Sequence, residues 1–394
     1  MSKRILILGA SVLQLPAIKA AKRKGFVVGV ADQNINAIGM EFADVRYCVS
    51  TIDIDGILRV ATEFRADGVM TLATDMPVRA VAKCASQLAL PGISVEAAEK
   101  ATDKAEMIRC FADHSVASPW FYVIENKADL YASIDQISYP CILKPVDNAG
   151  SRGVILVNHR DELETAYTYS KKESRSGVVI IEEYLKGHEV SVETMTEQGE
   201  THVLAITDKL TTGAPHFVEM GHSQPTILPL DVQERVERLA VDAVDSLGIN
   251  IGPAHVEIMV TENGPKVIEL GARLGGDCIT THLVPLSTGI DMVGATIDLL
   301  TGREPDLKPI YSFGSAIRYI GVDGGRIKSV EGVDEAKHIP GIKEIVLTKG
   351  IGDTVKTISS STDRVGFVIA QATDVRNAIR ICEDAMRKIR VITE

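Results

Sequence analysis

Hydrophobic and polar positions follow two different periods in the first 95 residues. The apolar runs RILILG and FVVGVAD, residues 4–9 and 26–32, are typical of buried parallel strands, and LPAIKAAKRKG between them has helical spacing. GVMTLATD, residues 68–75, is a further apolar run and precedes the helical segment MPVRAVAKCASQLAL. We therefore predict a β-α-β start and a small doubly wound α/β unit over residues 1 to about 95.

The pattern changes at about residue 102. TDKAEMIRCFADHSV reads as an amphipathic helix that Thr102 or Asp103 can cap. Strands follow in runs, with the helix RDELETAYTYSKK among them: YPCILKPV, RGVILVN, GVVIIEEYL and EVSVETMT. Such an order predicts an α+β domain with antiparallel sheets.

Residues 207–229 show no clear periodicity and are rich in Gly, Pro, Thr and His. A connection of this length favours a functional lid, and FVEMGHSQP, with Glu219 and His222, is its candidate for closing on a substrate. A mobile loop with an incidental histidine is the alternative. A helix is then predicted at DVQERVERLAVDAVDSLG, and strands with a final helix from about Tyr311.

The segment AHVEIMVTENGPKVIELGARLGGD, residues 254–277, predicts a hairpin turning at Asn263 and Gly264. Pairing that is symmetric about Asn263 puts Glu257 opposite Glu269, where like charges destabilise a sheet. A divalent cation between them removes that cost, and Mg²⁺ prefers carboxylate and phosphate oxygens. The alternative is a solvated surface pair in a different register.

Two basic residues lie beside glycine-rich turns. In ILKPVDNAGSRGV, Lys144 precedes the glycines, whereas a P-loop lysine follows them. Arg273 lies before Gly275 and Gly276, where a guanidinium can bind phosphate or carboxylate oxygens. Ordinary alternatives are an exposed strand lysine and a surface salt bridge.

Composition limits the possible classes. The 394 residues, 45% hydrophobic and 24% charged, predict a soluble globular chain of two or three packed units. The net charge of -11 argues against nucleic-acid binding. No apolar run reaches the roughly 18 residues of a membrane span, so we expect a cytoplasmic protein without a membrane partner. Gly9 supplies only the first glycine of GxGxxG, which disfavours a nicotinamide oxidoreductase.

Three segments in this order, ILKPVDNAGSRGV, VVIIEEYLKGHEVSVE and HVEIMV…KVIELGARLGG, resemble the ATP-grasp superfamily over nearly the whole chain. The resemblance is nearest to carboxylate–amine ligases that join L-amino acids, with carbamoyl-phosphate-synthase-like and purine-pathway members more distant. It implies an N-terminal Rossmann-like pre-ATP-grasp domain (1–100), an ATP-grasp domain (101–310) with a small lid subdomain at about 115–185, and a C-terminal α/β subdomain (311–394). ATP would lie between two α+β subdomains.

The resemblance also implies residue roles. The ATP phosphates would contact Lys104, Lys144 and the loop 148–153. Residues 182–185 would form the hinge that binds adenine, and Glu189 would bind the ribose. The implied ATP-binding residues are Lys104, Lys144, Ser151, Gly153, Glu182, Glu183, Tyr184, Leu185 and Glu189. Glu257 and Glu269 would hold Mg²⁺, or Mn²⁺ in its place. The implied catalytic residues are Arg273, Glu269 and Lys144, and the substrate residues Glu219, His222, Arg273, Gly275 and Gly276.

Gly271 departs from the family, whose members often carry Asn there, so a third protein ligand to the metal stays open and water can replace it. The implied reaction phosphorylates a small carboxylate, such as an amino acid, and an amine then attacks the acyl phosphate to form an amide or peptide bond. ADP and phosphate are the expected products, and a homodimer is among the expected assemblies. The alternatives are a carboxylating member that uses bicarbonate and a non-catalytic ATP-binding regulatory protein.

Overall fold

The computed structural model describes residues 2–148, 150 and 152–394. Ser151, one of the implied ATP-binding residues, lies outside them. The strands are β1 Arg4–Leu8, β2 Val27–Asp32, β3 Val45–Cys48, β4 Gly68–Met70, β5 Phe121–Ile124, β6 Cys141–Pro145, β7 Ile155–Val157, β8 Val179–Glu183, β9 His188–Glu197, β10 Glu200–Thr211, β11 Glu219–Gln224, β12 Gly252–Thr261, β13 Gly264–Gly271, β14 Gly314–Ile320, β15 Gly325–Glu331, β16 Ile342–Leu347, β17 Thr354–Val355, β18 Gly366–Ala372 and β19 Arg390–Thr393. The α-helices are α1 Leu15–Arg23, α2 Ile54–Phe64, α3 Val78–Leu88, α4 Val95–Ala101, α5 Lys104–Asp113, α6 Lys127–Ser133, α7 Leu163–Glu173, α8 Leu230–Ser246, α9 Val284–Thr288, α10 Met292–Leu300, α11 Val333–Lys337 and α12 Val375–Lys388.

The amino-terminal unit is a parallel sheet of order β3-β2-β1-β4. Strands β1, β2 and β4 are buried on both faces, as their nearly continuous apolar sequences predict, whereas the edge strand β3 is partly exposed. Helix α1 covers one face through Ile18 and its alanines, and α2 covers the other through Ile57 and Phe64. The predicted β-α-β start is confirmed.

A small antiparallel sheet of order β5-β8-β6-β7 follows. One face packs on α6 and α7 through residues that include Leu130, Leu143 and Tyr167. The other face carries Ile180 and meets α5 at Ala105 and Ile108. Asp103 caps α5 by accepting hydrogen bonds from the N–H groups of Ala105 and Glu106, which decides between the two predicted caps.

The largest sheet has eight strands in the order β13-β12-β9-β10-β11-β14-β18-β16. One face of β9 and β12 is apolar and packs on α8, through residues such as Val192, Val256 and Leu239. Strands from both sides of residue 310 pair in this sheet, through β11 and β14. The division at 310/311 therefore stays a prediction about domains, and it does not separate two sheets.

Two predictions are corrected here. Residues 207–229 are not one long connection: β10 runs to Thr211, and Glu219–Gln224 forms β11. Polar residues such as Asp208, Lys209 and His222 hid the strand pattern, because they interrupt the regular alternation of apolar and polar positions that predicts a strand. The hairpin turn also lies one position earlier than predicted, since Thr261 pairs with Gly264.

Among the described residues, no single helix has the length and apolar character needed to cross a membrane; one pair, Ile279–Thr288 with Met292–Leu300, passes only when joined across a bend of 112°.

Candidate active site

The face of the eight-stranded sheet opposite α8 is lined by charged side chains. In HEVSVETMTE the apolar residues of β9 alternate with Glu189, Ser191 and Glu193, so the acids share one face. His255 and Glu257 point the same way from β12, since Glu193 pairs with His255 and Ser191 with Glu257. A short strand pattern thus places several ionisable groups on one surface.

Glu257 and Glu269 are direct partners across β12 and β13, which confirms the predicted opposition. A β-bulge produces it. Between the turn and Ile258 the two strands keep one register, in which Ile258 lies opposite Val267. One extra residue on β13 then shifts the register, so that Glu257 lies opposite Glu269. Without the bulge, the second glutamate would face the other side of the sheet.

Lys209 on β10 holds three carboxylates together. Its Nζ lies 2.7 Å from Glu189 Oε1, 3.0 Å from Glu219 Oε1 and 3.1 Å from Glu257 Oε2. Burial lowers the pKa of Lys209, but the three carboxylate charges raise it well above its ordinary value. Lys209 is therefore a fixed positive charge at the centre of an acidic cluster.

His255 gives Glu257 a second cationic neighbour. Its Nδ1 lies 2.6 Å from Glu193 Oε1 and its Nε2 lies 3.4 Å from Glu257 Oε1. Burial lowers the pKa of His255, whereas Glu193 and Glu257 raise it, with a net value of about 9. For Glu257, burial raises the pKa, and Lys209 and His255 lower it to well below its usual range. Glu257 is thus a carboxylate at neutral pH.

Lys104, the first residue of α5, links the loop after β6 to the glutamate hairpin. Its Nζ donates to Glu269 Oε1 at 2.7 Å and to the carbonyl oxygen of Asn148 at 2.9 Å. Burial lowers the pKa of Lys104, and Glu269 with the nearby Asp75 and Glu182 raises it above its ordinary value. Lys104 therefore lies where the small sheet, the hairpin and the amino-terminal unit meet.

Lys144 is buried in the small sheet, not exposed on it. Its Nζ lies 2.7 Å from Glu182 Oε2, and both side chains are less than a tenth exposed. Glu183, which follows Glu182 on β8, accepts a hydrogen bond from Lys266 Nζ of the hairpin at 2.6 Å. These contacts place the residues implied for phosphate and adenine side by side on β6 and β8.

Tyr184, Leu185 and Gly153 complete the described part of this region. Tyr184 packs against Phe217 with ring centroids 6.1 Å apart, and Leu185 is buried. Gly153 has a φ of +78°, and a Cβ there would lie 2.7 Å from Pro145 Cγ. Glycine is needed at this position on both counts.

Arg273 is held by Asp75 of the amino-terminal unit. Arg273 Nε donates to Asp75 Oδ1 at 2.9 Å and Nη2 donates to Oδ2 at 3.0 Å. Burial raises the pKa of Asp75, but the facing guanidinium lowers it below its ordinary value. The bidentate pair fixes the orientation of the arginine.

A second polar cluster surrounds His222 on β11. His222 is buried, neither ring nitrogen has a hydrogen-bond partner among the residues that the structure describes, and Nε2 lies 3.6 Å from Asp277 Oδ2. Asp277 also receives two hydrogen bonds from Arg364, at 2.7 and 2.9 Å. Ligand atoms of Glu219, His222 and Asp277 come within 4.8 Å of one another. Asp277 is paired with Arg364, whereas Glu219 shares Lys209 with Glu189 and Glu257.

The glycines of the turn after β13 allow the chain to pass close to the buried His255–Glu193 pair and to Ala73. A Cβ on Gly275 would lie 2.7 Å from both Glu193 Oε2 and His255 Nδ1, and one on Gly276 would lie 3.4 Å from Ala73 Cβ. Gly275 is therefore required by the buried His255–Glu193 pair.

The structure adds residues that sequence patterns did not single out: Asp75, Glu193, Lys209, His255, Asp277 and Arg364. His255 had a signal, because it lies two residues before Glu257 on the same strand and must share its face. Asp277 follows the Gly275–Gly276 pair. The sequence carried no such signal for Lys209 and Arg364, because only the pairing of distant strands brings them close to their acidic partners.

Comparison with known proteins identifies the class. Residues 137–281 match the ATP-grasp domain family, and residues 318–394 match L-amino acid ligase C-terminal domain 2. Residues 137–281 therefore form an ATP-grasp domain, and the chain has the ATP-grasp fold, as the motifs predicted. Its carboxyl-terminal segment resembles, more narrowly, that of the L-amino acid ligases.

Individual relatives agree with this assignment. Alanine–anticapsin ligase of Bacillus subtilis is 30% identical over 278 residues, which are 64% of this chain and 58% of that enzyme. L-amino acid ligase of Bacillus licheniformis superposes with a TM-score of 0.86 at 24% identity, covering 100% and 99% of the two chains. Carboxyaminoimidazole ribonucleotide synthase of Aspergillus clavatus, complexed with ATP, has a TM-score of 0.80 at 17% identity over 99% of both chains. Identities this low show a shared fold.

Proposed function

We propose that the protein is an ATP-dependent carboxylate–amine ligase that forms an amide or peptide bond through an acyl phosphate. The observation that carries the proposal is the pair Glu257 and Glu269, opposed across a hairpin and each bonded to a lysine. The match to an L-amino acid ligase C-terminal domain and the alanine–anticapsin ligase relative support an amino acid as the acid.

The donor set fits Mg²⁺. Glu257 and Glu269 offer hard carboxylate oxygens on adjacent strands, and each oxygen pair now neutralises a lysine instead of a metal. When bound there, Mg²⁺ would neutralise charge on the terminal phosphates of ATP. The expected third ligand is water, because Gly271 has no side chain to offer. Substitution by Mn²⁺ is a further expectation of this oxygen set.

Basic residues on both sides of the cleft would bind the nucleotide. Lys104 and Lys144 supply the two ammonium groups for the phosphates, while β8 and Tyr184 supply the hinge beside the base. Glu182 now bonds Lys144, so ATP must replace that contact as it binds. The ribose would lie toward Glu189, which Lys209 holds in place.

In the first chemical step, a carboxylate oxygen of the acid attacks the γ-phosphorus, and the bond to the bridging oxygen breaks to release ADP. Arg273 lies beside the two glutamates and would stabilise charge on the transferred phosphoryl group. In the second step, the amine nitrogen attacks the acyl carbon, and phosphate leaves with the electrons of the carbon–oxygen bond.

The cluster of Glu219, His222 and Asp277 would bind the organic substrates, and Gly275 and Gly276 directly precede Asp277 in the chain. The ammonium of an amino acid suits the carboxylate of Glu219, which shares Lys209 with two other acids. His222 has both ring nitrogens without a described partner, so it can accept the proton that the amine loses before attack.

A carboxylating reaction is the second candidate, because the likeness to carboxyaminoimidazole ribonucleotide synthase covers 99% of both chains. Bicarbonate would then be the acid that is phosphorylated. A requirement for bicarbonate, with no response to amino acids, would favour this alternative.

The test is the nucleotide product. We expect ADP and phosphate, released only when Mg²⁺, an acid and an amine are all present, when pairs of amino acids and other amines are screened by chromatography. Arg273→Ala should lower kcat more than it changes the Kd of ATP. Stoichiometric AMP would contradict the acyl-phosphate route, and ATP binding without turnover for any pair would favour the regulatory alternative.

A further inference from the structure

We infer that Asp75, on the segment 73–76 of the amino-terminal unit, is a positioning residue that aims Arg273 at the transferred phosphoryl group. This inference rests on the proposed function, in which Arg273 acts on the acyl phosphate. It assigns to the amino-terminal unit a part in catalysis as well as in the fold.

The contact is a fork between two planar groups. Nε and Nη2 of Arg273 bond separate oxygens of Asp75 at 2.9 and 3.0 Å, and Nη1 donates to the carbonyl oxygen of Leu274 at 3.3 Å. All three guanidinium nitrogens thus have an acceptor. The side chains of Arg273 and Asp75 are only 15% and 21% exposed, so water competes little for the pair.

Asp75 is itself anchored at both ends. Ala73, two residues earlier, has a φ of +63° and donates its N–H to the carbonyl oxygen of Leu274 at 3.2 Å. The carbonyl oxygen of Asp75 accepts from the N–H of Val78 at 3.0 Å, at the start of α3. A non-glycine residue in left-handed backbone costs free energy, and the tie to the Arg273 turn offsets it.

Gly271 leaves the space that this pair needs. A Cβ at Gly271 would lie 2.9 Å from Asp75 Oδ1 and 3.0 Å from Arg273 Cζ. A side chain at position 271 is therefore incompatible with the pair as it stands. An asparagine at position 271 would therefore displace the Asp75–Arg273 pair, whereas the glycine accommodates it.

Asp75 supplies the only carboxylate among these contacts of Arg273. The charges of Glu257 and Glu269 act on the guanidinium together with that of Asp75, and all three raise the pKa of Arg273. Without Asp75, Nε and Nη2 of Arg273 would lose the two oxygens that fix the guanidinium. The group would then move more freely and be more open to reagents.

The test combines kinetics with a measurement that needs no turnover. We expect Asp75→Asn to lower kcat about tenfold to a hundredfold, as for a misplaced catalytic group, with the Kd of ATP changed less than about twofold. Asp75→Ala should cost nothing further in an Arg273→Ala background, because a positioning residue acts only through its partner. Independent, multiplicative losses in the double variant would overturn the inference.

The second measurement is labelling of Arg273 by phenylglyoxal, followed by mass spectrometry of its peptide. The rate should rise several-fold in Asp75→Asn and in Gly271→Ala, and stay unchanged in Asp135→Asn, which removes an exposed ion pair with Arg160. An unchanged rate in Asp75→Asn would overturn the inference. If no acid and amine pair is turned over, the proposed function fails, while this labelling still decides whether Asp75 holds Arg273.

Discussion

Two buried lysines, one in each antiparallel sheet of the cleft, have very different surroundings. Lys144 in the small sheet bonds a single carboxylate, Glu182, whereas Lys209 in the eight-stranded sheet bonds three. The first set is neutral as a pair. The second has one lysine for three carboxylates, and the nearby His255 cation is offset by its own partner Glu193, which leaves two negative charges in excess.

The difference indicates how each sheet would respond to ligands. A neutral buried pair gains nothing from added charge, so a phosphate must compete with Glu182 for Lys144. The acidic excess around Lys209 gains from any added cation, whether a divalent metal or a substrate ammonium group. The eight-stranded sheet is therefore the side of the cleft that is electrostatically incomplete without ligands.

Removing Lys209 should have the largest effect. We expect Lys209→Met to lower the free energy of unfolding by about 4 kcal/mol, because three carboxylates lose their shared partner in a partly buried setting. Urea denaturation in EDTA measures this loss. Added Mg²⁺ should restore part of it, since a cation that binds only the native state stabilises that state.

The parent protein is the control for the Mg²⁺ effect, and the gain on adding Mg²⁺ should be larger in the variant. A loss below about 1 kcal/mol in EDTA would mean that water already screens these carboxylates as it does exposed pairs. The contrast with Lys144 would then disappear.

Lys144→Met should cost somewhat less, about 3 kcal/mol, because it leaves one buried carboxylate unpaired. The double variant Lys144→Met, Glu182→Gln removes both charges and should regain most of the stability. Calorimetry should find ATP binding weakened in both variants, by about 1.5 to 3 kcal/mol for a lost charged hydrogen bond. A double variant as unstable as Lys144→Met would show that packing, not the unpaired charge, causes the loss.

The sequence predicted the parts of the molecule that depend on local pattern. The parallel start, the small sheet around Lys144 and the opposition of Glu257 and Glu269 all follow from period and pairing symmetry. The opposition nevertheless depends on a bulge that the pattern did not show. The predicted turn was displaced by one residue, and the bulge compensated for that error.

The sequence could not predict contacts made between distant strands. Lys209 and Glu189 are adjacent only because β10 pairs with β9, and Asp277 meets Arg364 only because β14 and β18 join the same sheet. The interpretation of residues 207–229 as one long connection failed for the same reason, and closure on a substrate stays a prediction. The polar residues that these strands contribute to the distant contacts interrupt the alternation by which a strand is recognised.

His188 offers the smallest test, because it forms a one-to-one pair in the eight-stranded sheet that is open to water. Its Nε2 lies 2.7 Å from Asp208 Oδ1, and its side chain is 37% exposed. The hydrogen bond to Asp208 raises the pKa of His188 above its ordinary value, against a smaller opposing effect of burial. A raised pKa in the native state means that the stabilisation is complete below the unfolded pKa, about 6.5, and is lost as pH rises through the native value.

We therefore expect His188→Gln to lower the free energy of unfolding by less than about 1 kcal/mol at pH 6, as solvent screens the pair. The difference from the parent should shrink toward zero above the native pKa, and paired urea titrations at pH 6 and at alkaline pH measure it. A difference that grows with pH would reverse the sign of the linkage and show that the neutral imidazole, not the cation, is the form that Asp208 stabilises.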